Sequence, residues 1–140
     1  MQLHPATIGR PIFLPAFLKP VCAGFPSPAD DYLDAPIDLS RTLIRNAPAT
    51  FIMTVAGDSA VDAGIFDGSL ITVDRSLAPR DGDAVVVDVN GDRSIKLVRM
   101  IGGRLHLAFG NRRYPEYEPG PDADIEIFGV ITNSVRRFRR

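Results

Sequence analysis

DAVVVDVNGDRSIKLVRMIGGRLHLAF, residues 83–109, decides the fold class. Three runs rich in Val, Ile and Leu (83–89, 93–100 and 104–109) are separated by Asn90-Gly91 and Gly102-Gly103. Both dipeptides suit two-residue turns whose central residues need positive φ, so the runs read as consecutive antiparallel strands. Period-two alternation sets the faces of the middle strand. Ser94, Lys96, Val98 and Met100 share one face, and Ile95 and Leu97 take the other. A lysine therefore sits mid-strand among apolar neighbours. It is either an edge lysine that deters aggregation or a buried amine.

Outward from this stretch the same signals recur. Residues 50–55, 69–74 and 125–132 are further candidate strands. Asp38 is placed to cap a short helix through Leu39, Leu43 and Ile44 that ends near Pro48. Residues 110–124 are polar and Pro-rich and read as a long loop. The expected architecture is mostly β: a small, strongly curved, antiparallel barrel-like domain. The N-terminus differs. Seven of the twelve prolines fall in the first 36 residues, which excludes a helix or a central strand there. Yet this arm carries Ile12, Phe13, Leu14, Phe17, Leu18, Val21 and Phe25. It reads as an extended apolar arm lying on its own domain or on a partner's.

Composition removes several function classes. A length of 140 residues fits one domain, and 45% apolar residues suffice for a core. A formal net charge of −1 leaves no global basic field for nucleic acid. Arg136, Arg137, Arg139 and Arg140 read as a solvated tail, or as a contact to an acidic partner. Cys22 is the single cysteine, so no intramolecular disulfide forms, and no metal-ligand spacing exists. No cofactor or metal is expected. The N-terminus lacks a signal-peptide pattern and no run approaches a membrane span, so a cytoplasmic, membrane-free protein is expected and a signal-peptidase reading is weakened. His4 lies in the arm, and His106 reads as a surface or satisfied position rather than a catalytic one. Asp30-Asp31 and Asp122/Asp124 read as loop solvation.

Three local features carry possible chemistry, each weak alone. Gly57-Asp58-Ser59 follows an apolar strand, so Ser59 falls at the start of a short turn through Ala60, Val61 and Asp62. Backbone N–H groups at such a point can stabilise an oxyanion. Lys96, if buried and neutral, can serve as general base, which a serine nucleophile requires. In Val21-Cys22-Ala23-Gly24-Phe25, small residues flank the Ala23–Gly24 bond, so its backbone can enter a narrow cleft.

Taken together these features resemble the LexA/UmuD serine–lysine autopeptidase family. Lys96 follows Ser59 by 37 residues, and Val55-Ala56-Gly57-Asp58-Ser59-Ala60 is similar to that family's serine motif. The run Gly24-Phe25-Pro26-Ser27-Pro28-Ala29-Asp30-Asp31-Tyr32 is similar to the UmuD arm after its cleavage point. Ile37-Asp38-Leu39, Asp67-Gly68-Ser69-Leu70 and Phe128-Gly129-Val130 also fit, so the resemblance spans nearly the whole chain. It implies Ser59 as nucleophile, Lys96 as general base, and the backbone N–H groups of Asp58 and Ser59 as the oxyanion hole. It implies self-cleavage at Ala23–Gly24, dividing the chain into a cleavable arm, 1–23, and a peptidase-like domain, 24–140, arm-like to about residue 40. There are two departures. Ala60 replaces the usual methionine, and alanine precedes the cut where UmuD has cysteine, with Cys22 one position upstream.

The resemblance further implies an SOS-response protein. Its cleavage would be stimulated by a RecA filament on single-stranded DNA. Its product would be a homodimeric accessory subunit of an error-prone, UmuC-type translesion polymerase. About 23 residues before the cut are too few for a folded DNA-binding domain, so direct sequence-specific DNA binding is not expected. The alternatives are a polymerase-binding subunit that never cuts and a repressor-type autopeptidase.

Overall fold

The structure, a computed structural model, describes residues 9–26 and 32–139. His4, the Asp30-Asp31 pair and Arg140 lie outside the described residues. The Asn90-Gly91 turn forms as the sequence requires, with φ of 49° and 85°. It joins β5 (Ala84–Val89) to β6 (Asp92–Ile101), and the Gly102-Gly103 turn joins β6 to β7 (Arg104–Ala108). Cross-strand Asp88 and Arg93 close the first hairpin with hydrogen bonds of 2.8 and 3.1 Å.

β3 (Thr50–Thr54), β4 (Leu70–Asp74) and β8 (Ile125–Val135) complete a six-stranded sheet. Its order is β3-β4-β8-β5-β6-β7, and every pairing is antiparallel. The last strand thus inserts between β4 and β5. The sheet is curved but open, with β3 and β7 at its edges, rather than closed as a barrel. β8 carries the bend. Its register slips once against β4 and once against β5, leaving Thr132 and Phe128 as the extra residues. Phe128 at the second bulge lies between the guanidinium groups of Arg75 and Arg93, at 4.3 and 4.2 Å from its ring centre. The chain can cross here because position 129 is glycine: a Cβ there would lie 2.8 Å from Val73 Cγ1.

Both faces of β5 are buried. Val86 belongs to one apolar cluster with Val55, Ala60, Ile65, Ile71 and Val73. Val85 and Val87 belong to another with Val98 and Val130. Lys96 lies opposite Val85 in the register, so it faces the second cluster, and its strand is interior rather than an edge.

The arm is more ordered than its prolines suggest. β1 (Phe13–Phe17) pairs with β2 (Leu33–Asp38) as a separate two-stranded hairpin. Pro15 and Pro36 fall at its one register irregularity, where missing N–H donors do least harm. Its apolar side chains stay largely exposed rather than lying on the sheet, among them Ile12, Phe13, Phe17 and Leu18. Asp38 caps α1 (Leu39–Leu43), its carboxylate accepting from Ser40 N–H at 3.2 Å. The helix stops at Leu43, earlier than its sequence suggests. Pro48 instead belongs to a separate 3-10 turn, Ala47–Ala49.

Candidate active site

β3 delivers the chain to the serine. After Val55, Gly57 turns the backbone with φ of 92°, and its N–H is held by the Asp67 carboxylate at 2.7 Å. Ser59 follows, half-buried, and a 3-10 turn, Val61–Ala63, continues the chain. Ala60, at the position of the family's methionine, is buried in the core. The N–H groups of Asp58 and Ser59 donate to no acceptor among the described residues.

β6 delivers the lysine. Lys96 is 5% exposed. Its Nζ donates to Ser94 Oγ at 2.7 Å and to the Ile95 carbonyl at 3.3 Å, and among the described residues no carboxylate pairs with it. The rings of Phe109 and Tyr117 flank it at 4.9 and 4.8 Å. Burial disfavours the charged ammonium and lowers the Lys96 pKa from the ordinary lysine value.

The two residues are linked through Phe109 and Gly110 rather than by a direct bond. Ser59 is not among the hydrogen-bond partners of Lys96. A Cβ at Gly110 would lie 3.0 Å from Ala60 Cα and 3.4 Å from both Ser59 O and Leu97 Cγ. The serine turn, the lysine strand and the segment after β7 therefore meet at one place. That segment also binds Asp58: Asn111 Nδ2 donates to its carbonyl at 2.9 Å, and Tyr114 OH donates to its carboxylate at 2.5 Å. The carboxylate beside it raises the Tyr114 pKa.

Asn111, Tyr114 and Tyr117 are candidate site residues that the sequence reading did not single out. Ser94 had already been placed on the face of Lys96 by alternation. The signal for the others was faint: aromatic residues inside a polar loop need a surface to cover. Ala23 and Gly24 are exposed in the β1–β2 connection, and flanking Val21 and Phe25 are each 95% exposed. The bond between them is not seated at Ser59 in this conformation. His106 is exposed on β7, as expected. Asp122 and Asp124 are exposed in the loop before β8. Among the described residues no three potential metal ligands converge, and no helix is long and apolar enough to cross a membrane.

Known proteins show where this arrangement belongs. The model of the Peptidase S24-like family matches residues 15–132. The chain is 35% identical over 125 residues to the protein SamA of Salmonella typhimurium, covering 89% of this chain and 86% of SamA. It is 35% identical over 123 residues to the protein MucA of Escherichia coli, covering 87% and 84%. It is 36% identical over 134 residues to LexA repressor 1 of Xanthomonas axonopodis pv. citri, covering 95% of this chain but 66% of that protein. A match over most of the chain, with relatives aligned over most of their own length, identifies it as a UmuD-like member of the Peptidase S24-like family of serine-type autopeptidases.

Proposed function

We propose that the protein cuts its own Ala23–Gly24 bond with a Ser59–Lys96 dyad. The observation that carries this reading is the environment of Lys96. An amine buried among aromatic rings, bonded among the described residues to a neutral hydroxyl and a carbonyl, is poised to lose its proton.

Neutral Lys96 takes the Ser59 hydroxyl proton as Oγ attacks the Ala23 carbonyl carbon. The negative charge that develops on that oxygen meets the free N–H groups of Asp58 and Ser59. Collapse breaks the bond to Gly24, whose nitrogen takes the proton from the Lys96 ammonium and leaves as an amine. Water then attacks the Ser59 ester, giving its proton to Lys96, which returns it to Ser59 Oγ as the ester bond breaks and residues 1–23 leave ending in a carboxylate. No histidine and no metal is required.

The exposed bond must first reach Ser59. Tethering supplies a high local concentration, so little intrinsic affinity is needed. β3 is an edge strand leading into the serine turn, and an extended segment can add to such an edge. A RecA filament on single-stranded DNA would act by favouring this seated conformation. In this reading the fragment 24–140 works as a homodimer with a UmuC-type translesion polymerase in the cytoplasmic SOS response. Similarity to SamA and MucA supports that setting over a repressor role.

The test is intact mass after incubation at neutral and alkaline pH, for wild type, Ser59→Ala and Lys96→Ala. The expected product begins at Gly24, forms faster at alkaline pH and is absent from both variants. A folded wild type that stays whole even with an activated RecA filament leaves the non-cutting, polymerase-binding subunit as the reading.

A further inference from the structure

The Ser59 turn is held from outside by residues 110–114. Asp62 N–H donates to the Gly110 carbonyl at 2.8 Å, and Arg112 N–H donates to the Asp62 carboxylate at 2.7 Å. Asn111 is only 7% exposed, although its side chain is a polar amide. Both ends of that amide are used. Nδ2 donates to the Asp58 carbonyl at 2.9 Å, and Oδ1 accepts from Arg113 N–H at 3.0 Å. The same carbonyl accepts a second, longer bond from Val61 N–H at 3.4 Å, so the Asn111 amide is the shorter of its two donors. Tyr114 holds the Asp58 carboxylate and packs its ring against Phe109, 4.9 Å between centres. Asp58 is therefore gripped at both its carbonyl and its side chain.

The carbonyl grip has a geometric consequence. A peptide unit is planar and trans, so its C=O and N–H point in opposite directions. The Asp58 carbonyl and the Ser59 N–H belong to one such unit. Holding the oxygen therefore sets where the N–H points, and that N–H has no acceptor among the described residues.

We propose that Asn111 is a positioning residue for self-cleavage, its hydrogen bond to the Asp58 carbonyl aiming the Ser59 N–H at the developing oxyanion, with Tyr114 as second anchor. This rests on the Ser59 reading above. Asn111 touches no reacting atom. Without its amide only the longer Val61 bond holds the Asp58 carbonyl, so the peptide plane can rotate and carry the donor away from the place where charge develops.

The test is the rate of self-cleavage by the full chain from neutral to alkaline pH. The variants are Ser59→Ala, Asn111→Ala, Asn111→Asp and Tyr114→Phe, each with a melting curve. Losing an oxyanion donor slows a reaction by about 100-fold or more, so a folded Asn111→Ala should lose about that factor at the alkaline plateau. Its pH midpoint, set by Lys96, should not move. Asn111→Asp keeps the size but removes the donor, and should fall equally. Tyr114→Phe keeps the ring and should lose about tenfold, a smaller factor because the carbonyl grip remains. If Asn111→Ala does not fold, the other two variants decide. A folded Asn111 variant cutting within about threefold of wild type overturns the proposal, since that is far below the loss of one oxyanion donor. So does a shifted midpoint at unchanged plateau, which places the effect on Lys96. If wild type cuts, Ser59→Ala does not, and the Asn111 variants match wild type, the inference alone fails. If wild type never cuts, the underlying reading falls and takes the inference with it.

Discussion

Lys96 combines a proposed function and a destabilising position in one side chain. Burial lowers its pKa in the folded chain, whereas in the unfolded chain it titrates as an ordinary lysine near about 10.4. Below the folded value both states hold the proton, and the buried charge costs stability in full. Between the two values the unfolded state binds more protons, so stability rises with pH. Self-cleavage should climb as pH approaches the folded value and level off above it, where the neutral amine predominates in the folded chain. Lys96→Met should therefore abolish cutting yet stabilise the fold at neutral pH by on the order of 1 kcal/mol. That gain should shrink as pH rises. Denaturant titrations at neutral and alkaline pH measure both effects. A less stable Lys96→Met at neutral pH would mean that the bond to Ser94 outweighs desolvation. Much of this residue's setting was legible, because period-two alternation fixes its face and its neighbours Ser94 and Val98. Asn111 and Tyr114 were not. Their bonds to Asp58 span 53 and 56 residues, and no local pattern encodes a contact that distant.

At the scale of elements, β8 has the most demanding position. The strands and their turns were readable because Asn90-Gly91, Gly102-Gly103 and the Val/Ile runs are local signals. The strand order was not, since β8 reaches back between β4 and β5 and its two bulges answer to both neighbours at once. Those bulges interrupt the pairing of an open sheet within the mostly β, barrel-like architecture that the strands and tight turns implied. The β1–β2 pairing was likewise hidden, because its prolines argue against strands and only the register shows how they are accommodated. The bend at β8 is testable through its glycine. Gly129→Ala would place a methyl 2.8 Å from Val73 Cγ1 and 3.1 Å from the Asp74 carbonyl oxygen. Val73 is fully buried, so it has no solvent to move into. We expect a loss of about 1–3 kcal/mol, read as a lower melting temperature. Gly110→Ala meets Ala60 Cα at 3.0 Å, beside the serine, and should slow cutting through displacement of the turn. An unchanged cutting rate in a folded Gly110→Ala would show that the turn tolerates the displacement.

Across the whole molecule, the proposed cut would change what the hairpin is. β1 lies before Ala23–Gly24 and β2 after it, so cleavage there would turn an intramolecular pairing into a complex of two chains. A two-stranded hairpin is marginal even when its ends are joined. This one has a short register, broken by an irregularity at its prolines, and its apolar side chains gain little cover. Severing the connection removes an effective concentration of roughly millimolar order. Residues 1–23 should therefore leave, and the edge of β2 should become free for another strand, with exposed Leu33 beside it. Native mass spectrometry of the cut protein at micromolar concentration should find 24–140 without 1–23. Backbone amides in residues 33–38 should also exchange faster than in the uncut chain. A fragment that stays bound through gel filtration would mean that β1 is held by more than its pairing with β2. Self-cleavage would then leave the arm's surface essentially as it was.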